Sequence, residues 1–110
     1  MLNKKNLIGN PRVIEDLFKK GKIFKSELLI FRYRESDNGP QFAVSVSKKI
    51  YKKANKRNRL RRQIQEALRL NLPELDKKII SLVIAKASAS EKNSGFRKLC
   101  DDIKTFYKSI

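Results

Sequence analysis

Between Lys48 and Arg62 the chain reads KKIYKKANKRNRLRR, and nine of these fifteen side chains are cations: Lys48, Lys49, Lys52, Lys53, Lys56, Arg57, Arg59, Arg61 and Arg62. No acid follows until Glu66, so few salt bridges can offset the repulsion along the segment. With acids interspersed, such a run would simply be a solvated helix face. Without them it calls for a polyanion, because each phosphate neutralised releases condensed counterions. Arginine suits that task, since its planar fork grips two phosphate oxygens at once. The chemistry expected here is nucleic-acid binding rather than bond making.

The rest of the composition agrees. Lys and Arg number 27 against 11 Asp and Glu, a net charge of +16, which strains the folded state unless a partner absorbs it. The absence of histidine removes the commonest general base and metal ligand. The single cysteine, Cys100, has no internal disulfide partner and reads as a small buried hydrophobe. No catalytic residues and no protein-held metal or cofactor are therefore expected. Asp101 and Asp102 form an adjacent acidic pair, but helix neighbours point about 100° apart, so both are expected to be solvated. Residues 1–10 lack the apolar core of a signal peptide, and no apolar run nears the roughly 20 residues of a membrane span. The expectation is a cytoplasmic protein with no membrane partner. A chain of 110 residues fits one domain, 1–110, with 1–9 expected to be a flexible N-terminal tail.

The elements that must position the basic run follow from periodicity. Asn10-Pro11 reads as a helix N-cap with proline at the first helical position. Val13, Ile14, Leu17 and Phe18 then recur at helical spacing, and Gly21 is placed to end the helix. From Ile23 to Arg34 the pattern becomes β-rich. Leu29, Phe31 and Tyr33 share one strand face, and Leu28, Ile30, Arg32 and Arg34 the other. Ser36-Asp37-Asn38-Gly39-Pro40 is a turn, and Gln41–Ser47 a further strand, the two expected to pair as an antiparallel hairpin. Leu60, Ile64, Ala67 and Leu68 make an apolar stripe that turns the basic segment into a core-facing helix, closed by Asn71 and Pro73. On its opposite side Asn58, Arg62, Gln65 and Arg69 line up, with Arg61 at the border. Ile79–Ala85 is nearly continuously apolar, as in a strand buried on both faces. Ser88 to Gly95 reads as a loop or helix start. A last helix carries Phe96, Leu99, Cys100, Ile103, Tyr107 and Ile110 on one side. The fold class expected is α+β, a single-domain two-layer sandwich in the order αβββαβα, its four-stranded mixed sheet packed with helices. After that core is assigned no apolar stripe is left over, so a monomer is expected.

Ser-Val-Ser-Lys-Lys at 45–49, followed by Ala54-x-x-Arg57-Asn58-Arg59-Leu60-Arg61-Arg62, resembles the protein component of bacterial ribonuclease P. The likeness runs from Asn10 to about Tyr107. It implies an accessory subunit of a ribonucleoprotein endoribonuclease, whose catalyst is an RNA that removes the 5′ leader of precursor tRNA with Mg2+ ions it holds itself. The protein alone is then inactive, and its partners are the catalytic RNA and precursor tRNA, one protein per RNA. By resemblance, Lys48, Lys49, Lys52, Lys53, Lys56, Arg57, Asn58, Arg59, Arg61 and Arg62 bind the RNA subunit. Ile14, Phe18, Arg32, Ser45 and Ser47 fall to the leader-binding cleft between the first helix and the sheet. The spacing of Phe18 with Ile14 and Leu17 would equally place it in the core.

The chain departs from the family pattern twice. Gln65 stands where a basic residue is usual, and Ile14 takes the first of two usual aromatic positions. The resemblance also implies that Gln41–Ser47 and Ile79–Ala85 are parallel and joined by a left-handed crossover, against the general right-handed rule. Alternatives are a stand-alone or ribosomal RNA-binding protein, a nuclease in its own right, which the missing residues disfavour, and a double-stranded DNA reader. The last lacks a helix-turn-helix or dimer seam.

Overall fold

Asn10 accepts a hydrogen bond from the Arg12 amide at 2.9 Å, and Pro11 fills the first helical position. The helix this starts, α1 (Pro11–Lys20), is followed by strands β1 (Lys22–Lys25), β2 (Leu29–Glu35) and β3 (Gln41–Ser45). Helix α2 (Ala54–Leu70), strand β4 (Ile79–Ala85) and helix α3 (Phe96–Ser109) complete the order αβββαβα. The computed structural model describes residues 2–90 and 95–110; part of the expected Ser88–Gly95 loop therefore lies outside the described residues.

Gly21 ends α1 without a left-handed residue. It is needed for closeness instead: a Cβ there would come within 2.6 Å of the Leu17 carbonyl oxygen and 3.2 Å of the Tyr33 amide nitrogen. Gly39 plays the same part in the turn before β3, where a Cβ would collide with the backbone of Ile79.

The sheet runs β1-β2-β4-β3. β1 and β2 are antiparallel, with Phe24 opposite Phe31; β2 and β4 are antiparallel, with Phe31 opposite Val83. β3 pairs with β4 in parallel, Val44 opposite Val83. The expected hairpin between β2 and β3 is therefore absent, because β4 lies between them. Apolar on both sides, β4 loses most by facing water, and the central place covers it twice. β3 also stops at Ser45 rather than Ser47. Ser47 instead turns the chain, its carbonyl accepting from the Ile50 amide and its hydroxyl from the Lys49 amide.

Alternation along the strands divides the core. Leu29 and Phe31, Phe42, and Ile79, Val83 and Ala85 meet the predicted α2 stripe of Leu60, Ile64, Ala67 and Leu68, together with Leu99, Ile103, Phe106 and Tyr107 of α3. Phe106, absent from the predicted α3 face, is fully buried, and its ring stacks on Phe31 at 4.0 Å between centroids. The sheet with α2 and α3 is the expected two-layer body. On the other face, α1 adds partial cover: Leu17 is buried with Ile80 and Leu82, and Val13, Ile14, Ala43 and Ile84 surround them.

Two acidic and N-terminal expectations need correction. Asp102 is only 6% exposed and its carboxylate accepts the Leu28 amide at 2.8 Å, so it ties α3 to the turn before β2. That amide is buried and needs an acceptor, whereas Asp101 is exposed as expected. Residues 2–8, within the segment expected to be a tail, lie against β3. Leu2 is buried, Leu7 bridges Phe42, and the Ile8 amide donates to the Phe42 carbonyl at 2.9 Å. The Asn6 amide group also donates to the Pro40 carbonyl at 2.8 Å. This segment covers the edge of β3, whose outer backbone groups would otherwise be open to pairing.

Candidate nucleic-acid interface

Helix α2 is built from good helix formers, and its buried stripe locks its rotation on the sheet. Its far end is fastened from two sides. Asn71 donates its side-chain amide to the Ala67 carbonyl at 2.7 Å, and the Tyr107 hydroxyl donates to the Leu68 carbonyl at 3.1 Å. The near end is open. Lys53 stands at the N-cap without an acceptor to offer the first turn, which also contains no acid. The Lys56 amide of this turn donates to the Asn55 side-chain carbonyl at 2.9 Å, and the positive end of the helix dipole suits an anion beside it.

The arginines divide by direction. Arg57 turns inward and donates to the carbonyls of Tyr51 at 3.0 Å and Lys52 at 2.7 Å, clasping the connector onto the helix. Lys56 sits over the Tyr51 ring at 5.8 Å. Arg61 donates to the Asn58 side-chain carbonyl at 2.7 Å, so the asparagine of the Arg-Asn-Arg motif sets the direction of a guanidinium. Asn55, Asn58, Arg61, Arg62 and Gln65 line one surface recess of about 390 Å³. This is the predicted polar face, with one change: Arg69 does not join it but pairs with Glu66. That pairing is the largest of the influences that hold the Glu66 carboxyl down at about 2. Arg59 points to the neighbouring ridge, beside Arg62, Gln63 and Glu66. Lys48, Lys49, Lys52 and Lys53 are exposed along the connector. Two guanidiniums flanked by neutral amides, on a helix held rigid from below, can grip a phosphate backbone without a competing carboxylate in the same recess.

The second predicted group lies on the sheet face under α1. Phe18 is 60% exposed, so it is not core; Leu17 takes the buried position beside it. The Arg32 guanidinium lies over the Phe18 ring at 5.8 Å and its Nε donates to the Leu17 carbonyl at 3.3 Å. Ile14 is half-buried against the small cluster, and Ser45 is exposed farther along the face. Ser47 lies past the end of β3 and is occupied with its turn. Ile23, opposite Arg32 on β1 and 52% exposed, belongs to the same face and was missed. Its signal was its alternation with Phe24, obscured because β1 is so short. Together, a ring, a guanidinium and small polar residues over an apolar floor can receive unpaired bases.

Among the described residues, no three His, Cys, Asp or Glu side chains come together to hold a metal ion. No helix among them is long and apolar enough to cross a membrane.

Comparison with known proteins gives the family and supports the fold. The family model described as Ribonuclease P matches residues 2–110. A ribonuclease P protein component of Clostridium botulinum (strain Langeland) is 36% identical over 92 residues, covering 82% of each chain. That of Rippkaea orientalis is 37% identical over 78 residues, spanning 66% of this chain and 61% of its own length. The solved ribonuclease P protein from Thermotoga maritima superposes with a TM-score of 0.80 at 25% identity, over 90% of this chain and 92% of that one. The chain therefore belongs to the bacterial ribonuclease P protein family, the protein component of a ribonucleoprotein endoribonuclease.

Proposed function

We propose that this chain binds the catalytic RNA through α2 and the connector before it, and cradles the 5′ leader of precursor tRNA on the sheet face beside α1. The observation that carries the first part is the recess of Asn58, Arg61 and Arg62, two outward guanidiniums with no acid among the lining residues. Arg59 and the connector lysines extend the positive surface, while Arg57 shapes it from within. The second part rests on the exposed Phe18 ring with Arg32 over it. Ile14 and Ser45 extend that surface. In this reading the RNA performs the hydrolysis with its own Mg2+, and the protein raises affinity for precursor and lowers the magnesium requirement.

The test is cleavage of a precursor tRNA at low magnesium by protein alone, bacterial ribonuclease P RNA alone, and both together. Activity only with both is expected. No gain over a competent RNA, despite tight general RNA binding, would leave a binder without a part in leader removal. Within the same assay set, Arg62→Ala should lower the slope of log K against log salt for the RNA by about one unit. Gln65→Arg, which restores a cation to the recess, should raise it by about the same amount. Unchanged slopes in both variants would place the phosphates elsewhere.

A further inference from the structure

Phe96 opens α3, and its helical spacing assigns it to the core, yet 37% of it is exposed. It lines a second surface recess, of about 420 Å³, whose other walls are Arg59, Arg62, Gln63 and Glu66. Those α2 residues fall at i, i+3, i+4 and i+7, so a single ridge of the helix faces the ring. Arg62 also lines the recess of Asn58, Arg61 and Gln65. The two recesses meet at that guanidinium.

An isolated surface phenylalanine needs no explanation by itself. This one shares its recess with two guanidiniums, on the most cationic helix of a +16 chain. The remaining wall is informative too. Glu66, whose two carboxylate oxygens accept from Arg69, repels phosphate, so the backbone of a bound strand is directed to the arginine side of the recess and the ring is left to a base. A flat ring with flanking arginines matches a nucleotide turned out of a helix.

We propose that Phe96 is a stacking platform for an unpaired base of the catalytic RNA, with Arg59 and Arg62 holding the phosphates next to that nucleotide. The site lies on α2 and α3, across the sheet from Phe18, and so is separate from the leader surface. It rests on the reading that α2 binds the RNA subunit, and the experiment distinguishes failure of the two.

Binding of the full-length protein to bacterial ribonuclease P RNA is measured across a salt series for Phe96→Ala, Phe96→Leu, Phe96→Tyr and Arg62→Ala, with Tm recorded for each. Loss of one base stack weakens binding by about tenfold, so Phe96→Ala and Phe96→Leu should bind about that much more weakly, with the wild-type salt slope. Phe96→Tyr should bind as wild type. Should Phe96→Ala lower Tm, the comparison of Leu with Tyr decides, since both fill the site and only one is flat. Leucine binding as well as tyrosine overturns the stacking role. Wild-type binding by the Ala and Leu variants while Arg62→Ala is weakened overturns this inference alone. Wild-type binding and slope for Arg62→Ala would overturn this inference, and an unchanged slope for Gln65→Arg as well would remove the α2 reading with it.

Discussion

The two faces of the sheet are made by the same strands and have opposite characters. Toward α2 and α3, Phe31, Phe42 and Phe106 are fully buried, and apolar side chains from two helices close over them. Toward α1, the core shrinks to Leu17, Ile80 and Leu82, and Phe18, Ile23 and Ser45 stay open to solvent. One strand serves both: in β2, Phe31 points to the sealed side and Arg32 to the open one. The sealed face fixes where α2 stands, and so where its arginines point. The open face remains available because a single ten-residue helix covers it. Stability and recognition are thus carried by alternate residues of one sheet.

The sharpest way to break this division is to exchange the roles of its phenylalanines. Phe106→Ala removes the ring stacked between Phe31 and its neighbours and should cost about 3–5 kcal/mol of stability. Denaturant unfolding checks this, and a loss below about 1 kcal/mol would mean that the face is not the principal core. Phe18→Ala should do the reverse, with Tm nearly unchanged and binding of leader-bearing precursor weakened by about 1–3 kcal/mol. Mature tRNA should be unaffected. Equal losses on precursor and mature tRNA, with a lowered Tm, would return Phe18 to the core.

A smaller effect sharpens the sealed side through pH. Burial pushes the Tyr107 hydroxyl well above its ordinary value of 10.0, and that hydroxyl donates to the end of α2. A phenol that stays protonated when folded but ionises when unfolded contributes stability that is intact below pH 10 and declines as pH rises beyond it. Tyr107→Phe should cost about 1 kcal/mol at neutral pH and flatten the alkaline limb of stability against pH. An identical alkaline limb in the variant would assign that loss to other groups.

Much of this was legible in the residues. The α2 stripe of Leu60, Ile64, Ala67 and Leu68 is buried as its period requires, and the polar side opposite it forms the recess with Asn58, Arg61, Arg62 and Gln65. Helical angles depend only on spacing, so they survive folding unchanged. Arg57 was less legible. Its type and place in the motif match its neighbours, yet it bonds to the connector because the turn after Ser47 brings two carbonyls to it. Asp102 was misread for a similar reason: its acceptor role depends on the Leu28 amide, 74 residues away in sequence.

Sequence by itself determined the things that local geometry and composition control: the elements, the amphipathic division of α2, and the cationic run that demands a polyanion. The family resemblance implied the parallel pairing of β3 with β4; only the tertiary structure decided the rest of the strand order, which of two neighbouring residues, Leu17 or Phe18, is covered, and whether Phe96 is sealed or left beside the arginines of α2. Those outcomes turn on which surfaces meet. Apolar burial rewards contact in proportion to area and carries no direction, so the pattern of a single element cannot name its partner.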